Sequence, residues 1–405
     1  MTEENKSVKK FPNLRFPGFE GEWNFKFGNE IFDSISDKKH NSDLPILAIT
    51  QDYGAIPRDL IDFKITVTDK SVESYKVVEK GDFIISLRSF QGGIEYSEYK
   101  GICSPAYIIL RPSISIDRIF FKYYLKTPKY ITHLNRKLEG IRDGKMISYS
   151  YFSDIALPLP SIEEQNKVSV FLSLIDIRIQ TQRKIIEGLS LQKISIVKKL
   201  FENKIKFKTD NKTHSWERKK LSEISEEHLH KNPNNKYNEV FSVAKHKGVI
   251  NQIEHLGRSF SAKEILHYKL VYPGDLVYTK SPTSDFPFGI IKQNRTGRIG
   301  VVSPLYCVFT PKTYALGYLL HEYFNSSVNT FNYLNPLVQK GAKNTMNINN
   351  EIFLNGASIL LPMDEEEQKK IYELLLCLDE KINLETELLT QYENQKKYLL
   401  QNLFV

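Results

Sequence analysis

The sequence is short of cysteine, has no long apolar run, and lacks the short motifs that mark catalysis. Three cysteines in 405 residues, Cys103, Cys307 and Cys377, are too few and too scattered for a disulfide framework or a zinc site, and they read as small buried hydrophobes. There is no stretch of about 18 apolar residues, and the opening MTEENKSVKK has no signal-peptide core. The expectation is a chain without a membrane span, working in the cytoplasm. Also missing are a G-x-x-x-x-G-K-[ST] phosphate loop, a G-x-G-x-x-G turn, an H-E-x-x-H helix, a G-x-S-x-G elbow and the Asn/Asp-Pro-Pro-aromatic tetrapeptide of amino-methyltransferases. No catalytic residue and no metal ligand is assigned. Asp364, Glu367 and Lys369 sit on one helical turn and its flank, where capping accounts for them. His228, His230, His246 and His255 lack the cysteine or carboxylate spacing of a metal site and read as exposed histidines of a basic domain.

What the sequence does have is a long pattern written twice. Residues 161–201 and 364–404 carry apolar residues at alternating steps of four and three, at a constant offset. Val168, Leu172, Ile175, Ile179, Gln182, Ile186, Leu189, Lys193, Ile196 and Leu200 correspond to Ile371, Leu375, Leu378, Ile382, Glu385, Leu389, Tyr392, Lys396, Leu399 and Leu403. That spacing keeps one narrow seam facing a partner helix over more than about four heptads, which reads as coiled coil. Each copy opens on an N-cap residue, Ser161 or Asp364, with a carboxylate three residues on and further glutamates in the first turn.

The segments before the two rods also repeat. The stretch from Leu47 through Gly54 answers that from Phe241 through Gly248, each a strand, a loop and a second strand. Lys80-Gly81-Asp82 answers Pro273-Gly274-Asp275 as a turn into a β-rich run. Single amphipathic helices are expected around residues 119–138 and 314–334, and a short helix ending near Ile35. The fold class is therefore α+β: two globular domains and two long helices forming an antiparallel coiled coil, as a pseudo-twofold internal repeat. Expected boundaries are 1–160 for the first domain, 161–202 for the first rod, 203–213 for a linker, 214–363 for the second domain and 364–405 for the second rod. The net charge of +8 is uneven, with +9 in residues 206–350 and −6 in 351–405, which points to a polyanion-binding face in the second domain. The strand frames agree between the halves while their loops differ, so each half presents its own recognition surface.

This arrangement resembles the specificity (S) subunit of Type I restriction-modification systems. The resemblance covers essentially the whole chain. It rests on the twofold domain-and-rod order, the lead-in Leu14-Arg15-Phe16-Pro17-Gly18-Phe19 and the two Gly-Asp turns. The most specific residues are Leu157-Pro158-Leu159-Pro160-Ser161-Ile162-Glu163-Glu164-Gln165 and Leu360-Leu361-Pro362-Met363-Asp364-Glu365-Glu366-Glu367-Gln368. It implies a chain with no catalysis and no cofactor of its own, whose two target recognition domains each read half of a bipartite site on double-stranded DNA. Two modification subunits then use S-adenosylmethionine to methylate adenine N6, and restriction subunits add ATP- and Mg-dependent translocation and cleavage. Other classes that remain are an autonomous DNA-modifying enzyme with an unrecognised site and a coiled-coil scaffold that does not bind DNA.

The residues agree with that implication. A rod from Val168 to Leu200 measures roughly 48 Å at about 1.5 Å per residue, against about 34–36 Å for one duplex turn. In an antiparallel pairing Lys193 falls beside Asp379 and Lys396 beside Asp176, which predicts two ion pairs that set register; the alternative is that both lysines run out to solvent. Candidate base and phosphate contacts in the first half are Thr50, Gln51, Asp52, Arg88, Gln91, Arg142 and Lys145. Their counterparts in the second half are Lys245, His246, Lys247, Lys280, Ser281, Lys340, Lys343 and Asn344, residue types with the donors that base edges and phosphates accept.

Overall fold

The computed structural model describes residues 10–40, 43–61, 72–136, 147–209, 212–213, 215–245, 247–258, 264–340 and 346–405. The chain forms two compact units, residues 1–184 with 386–405, and residues 185–385. Both long helices are continuous, Ile162–Phe201 and Glu365–Asn402. Each unit takes a stretch of both helices, because the seam of the rods runs into the core of the body it joins. Among the described residues no helix is long and apolar enough to cross a membrane.

Each unit has the same antiparallel frame. In the first, a four-stranded sheet has the order Phe32–Ile35, Ile108–Pro112, Phe83–Ile85, Glu95–Tyr96; in the second the order is Ser225–Glu227, Cys307–Pro311, Leu276–Thr279, Ile290–Gln293. A hairpin flanks each sheet, Leu47–Thr50 with Gly54–Pro57 and Phe241–Ala244 with Gly248–Asn251. The Gly-Asp turns repeat in detail. Gly81 and Gly274 sit at φ of +94° and +93°, where a side chain is strained. The following aspartates accept the backbone N–H of Glu79 at 2.8 Å and of Tyr272 at 2.7 Å. Helices differ from expectation in two ways. Residues Phe32–Ile35 form a strand after a one-turn helix Gly28–Ile31. Each expected single helix is two, Arg118–Tyr124 with Pro128–Arg136 and Tyr314–Asn325 with Ser327–Leu334. Pro128 disfavours helical backbone at Thr127, and Ser326 turns its hydroxyl to cap the next helix, accepting from Asn329 N at 3.2 Å.

The Glu-Gln pair that follows each helix cap ties domain to rod. Ser161 Oγ accepts Glu164 N at 3.2 Å, and Glu164 then takes a two-pronged bond from Arg15 at 2.8 Å. Gln165 accepts Asp117 N and donates to Pro160 O, both at 2.9 Å. In the second unit Glu367 accepts the Trp216 indole at 3.1 Å and Phe207 N at 3.2 Å. Gln368 accepts Thr313 Oγ1 at 2.7 Å and donates to Pro362 O at 2.9 Å. One dipeptide thus holds the lead-in, the strand before the rod and the cap of a domain helix.

All twenty seam positions are buried or half-buried. In the first unit Lys396 Nζ lies 2.5 Å from Asp176 Oδ1, and Arg183 pairs with Glu393 at 2.6 Å, so one index rises as the other falls, the antiparallel sense. Tyr123 donates to the other Asp176 oxygen at 2.7 Å. In the second unit Lys193 Nζ lies 2.6 Å from Asp379 Oδ1, and Tyr318 donates to Asp379 Oδ2. A lysine and an aspartate from opposite rods, joined by a tyrosine from the domain, occur in both. Cys103 and Cys307 are buried as expected, but Cys377 is exposed, because it faces away from the seam between Leu375 and Leu378.

Candidate nucleic-acid interface

Two loops meet in each unit where the sequence frames differ. In the first, Thr50 closes the hairpin turn by donating to Gly54 O at 3.2 Å and accepting Tyr53 N at 3.0 Å. The second loop is tightened by serines: Ser89 Oγ accepts Ser86 N at 2.9 Å and Ser86 Oγ accepts Arg88 N at 3.2 Å. Gln51 spans the two, its Nε2 donating to Arg88 O at 3.4 Å. This requires glycine at 92, where a Cβ would stand 2.6 Å from the Gln51 side chain. Gln51, Asp52, Arg88 and Gln91 are exposed, with Tyr53 and Leu87 beside them at 69% and 52% exposure. Arg142 and Lys145 lie outside the described residues.

The second unit joins its loops by charge. Lys245, at the hairpin position that Gln51 occupies in the first unit, forms an ion pair with Asp285 of the second loop. Lys247 and Ser281 are exposed, and Ser281 N donates to Thr279 Oγ1 at 3.3 Å. Lys280 is half-buried, and burial lowers its ammonium pKa. Lys340 ends the short strand Gln339–Lys340, while His246, Lys343 and Asn344 lie outside the described residues. A cleft of about 1040 Å³ in this unit is lined by Lys193, Lys198, Arg218, Lys245, Lys292 and Arg295, together with Glu202, Glu322 and Asp379. The cations outnumber the acids, so the cleft attracts anions.

Sequence reasoning missed the supports of these loops. Lys126 Nζ donates to Gln51 O at 3.4 Å and to Glu95 Oε1 at 2.5 Å. Burial pushes the Glu95 carboxyl up to about 7, with Lys126 opposing. At the matching sheet position Lys292 donates to Asn325 Oδ1, and burial pushes its ammonium down to about 8. The only signal in the sequence was a lone charge in an apolar strand. His228, read as exposed, is half-buried because its Nε2 meets Asp275 Oδ2 at 2.9 Å. Among the described residues no three His, Cys, Asp or Glu side chains are grouped to hold a metal. The loops themselves depend on glycine. A Cβ on Gly93 or Gly289, at φ of +80° and +99°, would meet a backbone carbonyl at 2.1 and 1.9 Å. Alanine at either is expected to cost about 1–3 kcal/mol, read from urea unfolding.

Comparison with known proteins points the same way. The family model for the Type I restriction modification DNA specificity domain matches residues 20–191. A putative type I restriction enzyme MjaX specificity subunit from Methanocaldococcus jannaschii is 26% identical over 219 residues, 51% of this chain and 48% of that protein. The MjaVIII specificity subunit of the same organism is 28% identical over 168 residues, 40% of this chain and 38% of that protein. The alignments thus span less than half the length of these curated relatives. A type I restriction-modification S subunit from M. genitalium shares the fold at TM-score 0.52 and 14% identity, covering 98% of this chain and 99% of that one. A structure described under assembly and conformational transition of the type I R-M system gives 0.53 and 15%, covering 97% and 99%. The first half of this chain is thus similar to the type I restriction modification DNA specificity domain, and the second half builds the same strand frame again.

Proposed function

We propose that this chain is the sequence-reading subunit of a type I restriction-modification complex in the cytoplasm, with no catalysis of its own. Recognition domains 1–160 and 214–363, carried on rods 161–202 and 364–405 and joined by 203–213, each read one half of a bipartite DNA site. The observation that carries this is a repeated strand frame bearing two chemically different loop pairs, Gln51 on the Arg88 carbonyl in one unit and Lys245 on Asp285 in the other. A scaffold would need the frame but not the divergence. Arg88, Gln51 and Gln91 have the donors to read base edges, and Lys245, Lys247 and Lys280 suit phosphates as well. The positive cleft of the second unit offers a path for the phosphate backbone.

Two modification subunits, using S-adenosylmethionine, and restriction subunits, using ATP and Mg, supply the chemistry in this proposal. An apolar stripe on the first helix supports partner docking: Val170, Leu174 and Ile177 are 53–57% exposed at helical spacing. The function is tested by mapping methylated adenines in cells that carry the modification subunits, with and without this chain. A bipartite motif that appears only with the chain is expected. In the same assay Arg88→Ala is expected to relax one half-site by about 10- to 100-fold, which corresponds to about 1–3 kcal/mol. Methyl transfer by the purified chain alone would favour an autonomous enzyme instead.

A further inference from the structure

Beneath the loops of the first unit lies a buried polar arrangement that fold stability does not account for. Glu95 is 2% exposed in the edge strand Glu95–Tyr96, and only one of its carboxylate oxygens is engaged, by Lys126. Its Oε2 is buried without a hydrogen-bond partner among the described residues. A half-satisfied buried carboxylate is costly, and such costs persist where they serve a site. Lys126 is tied at its other contact to the carbonyl of Gln51, at the tip of the hairpin. Glycines let the parts close in: a Cβ at Gly54 would stand 2.6 Å from Tyr96 O, and one at Gly92 2.6 Å from Gln51.

The second unit places buried charges of the opposite sign at the matching sheet and helix positions. Glu95 pairs across the sheet with Ile84, and Lys292 with Val277, at matching positions of the two frames. Lys126 stands nine residues after the helix cap Asp117, and Glu322 nine after the cap Thr313. Glu322 is the main favourable charge on Lys292. A position that only filled a core would not keep a buried ion of either sign.

We propose that Glu95 and Lys126 are positioning residues for base reading by the first recognition domain, holding the hairpin tip at a fixed distance from the loop that carries Arg88. This rests on the DNA-reading function proposed above. Lys126, just past the end of helix Arg118–Tyr124, and Asp52, on the hairpin tip, are the charges that face Glu95. The carboxylate gains its charge as pH rises through about 7, so its grip on Lys126 tightens above that pH and slackens below it.

The test is selection of bound duplexes from a random library by the full chain, at about pH 6 and about pH 8. Wild type is expected to yield two half-site motifs at the higher pH, one of which loses about tenfold in selectivity at the lower. Glu95→Gln and Lys126→Met are each expected to lose about tenfold on that half-site at both pH values, with the other unchanged. The double exchange Glu95→Lys with Lys126→Glu, copying the second unit, restores part of the loss. Thermal unfolding of Glu95→Gln at the higher pH should be no earlier than wild type, because a buried charge has gone. Full selectivity in both single variants, equal loss on both half-sites, or loss only together with the fold overturns the positioning role. Absence of any motif from wild type overturns the DNA-reading function itself, and this proposal with it.

Discussion

Replacing Asp379 with alanine is expected to destabilise the second unit by about 3–5 kcal/mol, the usual cost of stripping a buried charge cluster of its counter-ion. Asp379 Oδ1 takes Lys193 at 2.6 Å, and Oδ2 takes Arg295 at 2.8 Å and the Tyr318 hydroxyl. Arg295 also lies over the Tyr318 ring at 4.2 Å. Removal leaves two cations facing each other with Glu322 as their remaining carboxylate among the described residues, at 2.9 Å from Lys193 and 3.7 Å from Arg295. The matching change in the first unit, Asp176→Ala, should cost only about 1–2 kcal/mol. There Lys396 and Tyr123 are its partners, and both members of the ion pair keep more than a quarter of their side-chain surface in water. Hydrogen exchange along the two long helices reads the asymmetry, and equal losses in the two units would refute it.

The pH dependence has a definite sign. Burial alone would raise the Asp379 carboxyl, but Lys193, Arg295 and Tyr318 outweigh it and hold it below its ordinary value of 3.8. A depressed carboxylate contributes stability that is present above its unfolded value and lost as pH falls through the folded one. The Asp379 contribution should therefore be intact at neutral pH and fail only in strong acid. His321 acts in a higher window. Burial holds its pKa far below the ordinary 6.5, and its Nδ1 accepts Gln293 N at 3.0 Å. The unfolded chain takes up that proton first, so the second unit weakens as pH drops below about 6.5.

Phe404→Ala is expected to cost the first unit about 3–5 kcal/mol, as removal of a fully buried aromatic does. Phe404 is 0% exposed, packs on the rings of Phe120 at 5.1 Å and Tyr124 at 5.8 Å, and its carbonyl accepts Lys129 Nζ at 3.1 Å. Just before it, Asn402 O accepts Leu14 N at 2.9 Å. Phe201 has the same place in the second unit, against Tyr323 at 5.1 Å and Trp216 at 6.3 Å, but is only half-buried, so alanine there should cost less. Faster exchange in helix Arg118–Tyr124 is the direct readout; an unchanged rate would mean the ring is dispensable.

The rods were the most legible part of the sequence because their contacts follow a local period. That period alone places Lys193 opposite Asp379 and Lys396 opposite Asp176, the pairs the structure forms. Their tyrosine and arginine partners were not legible, since Tyr123, Tyr318 and Arg295 reach the rods only through the packing of distant elements. The paired glycine turns announced themselves as well, because φ beyond +60° leaves few alternatives to glycine. Glu95 and Lys126 did not, because sheet register and a helix end thirty-one residues apart in sequence bring them together. Gln165 and Gln368 were seen as part of a motif, yet their bonds to the caps at Asp117 and Thr313 belong to tertiary structure.

The exchange of helix segments sets an order of assembly during synthesis. The second unit is one unbroken stretch, residues 185–385, whereas the first waits for residues 386–405 to supply Leu399, Leu403 and Phe404. The first body is therefore completed only after the whole of the second has been synthesised, although most of its core is made earlier. Until then the faces of Phe120 and Tyr124 that Phe404 covers stay open, and chaperones are expected to engage the emerging chain there.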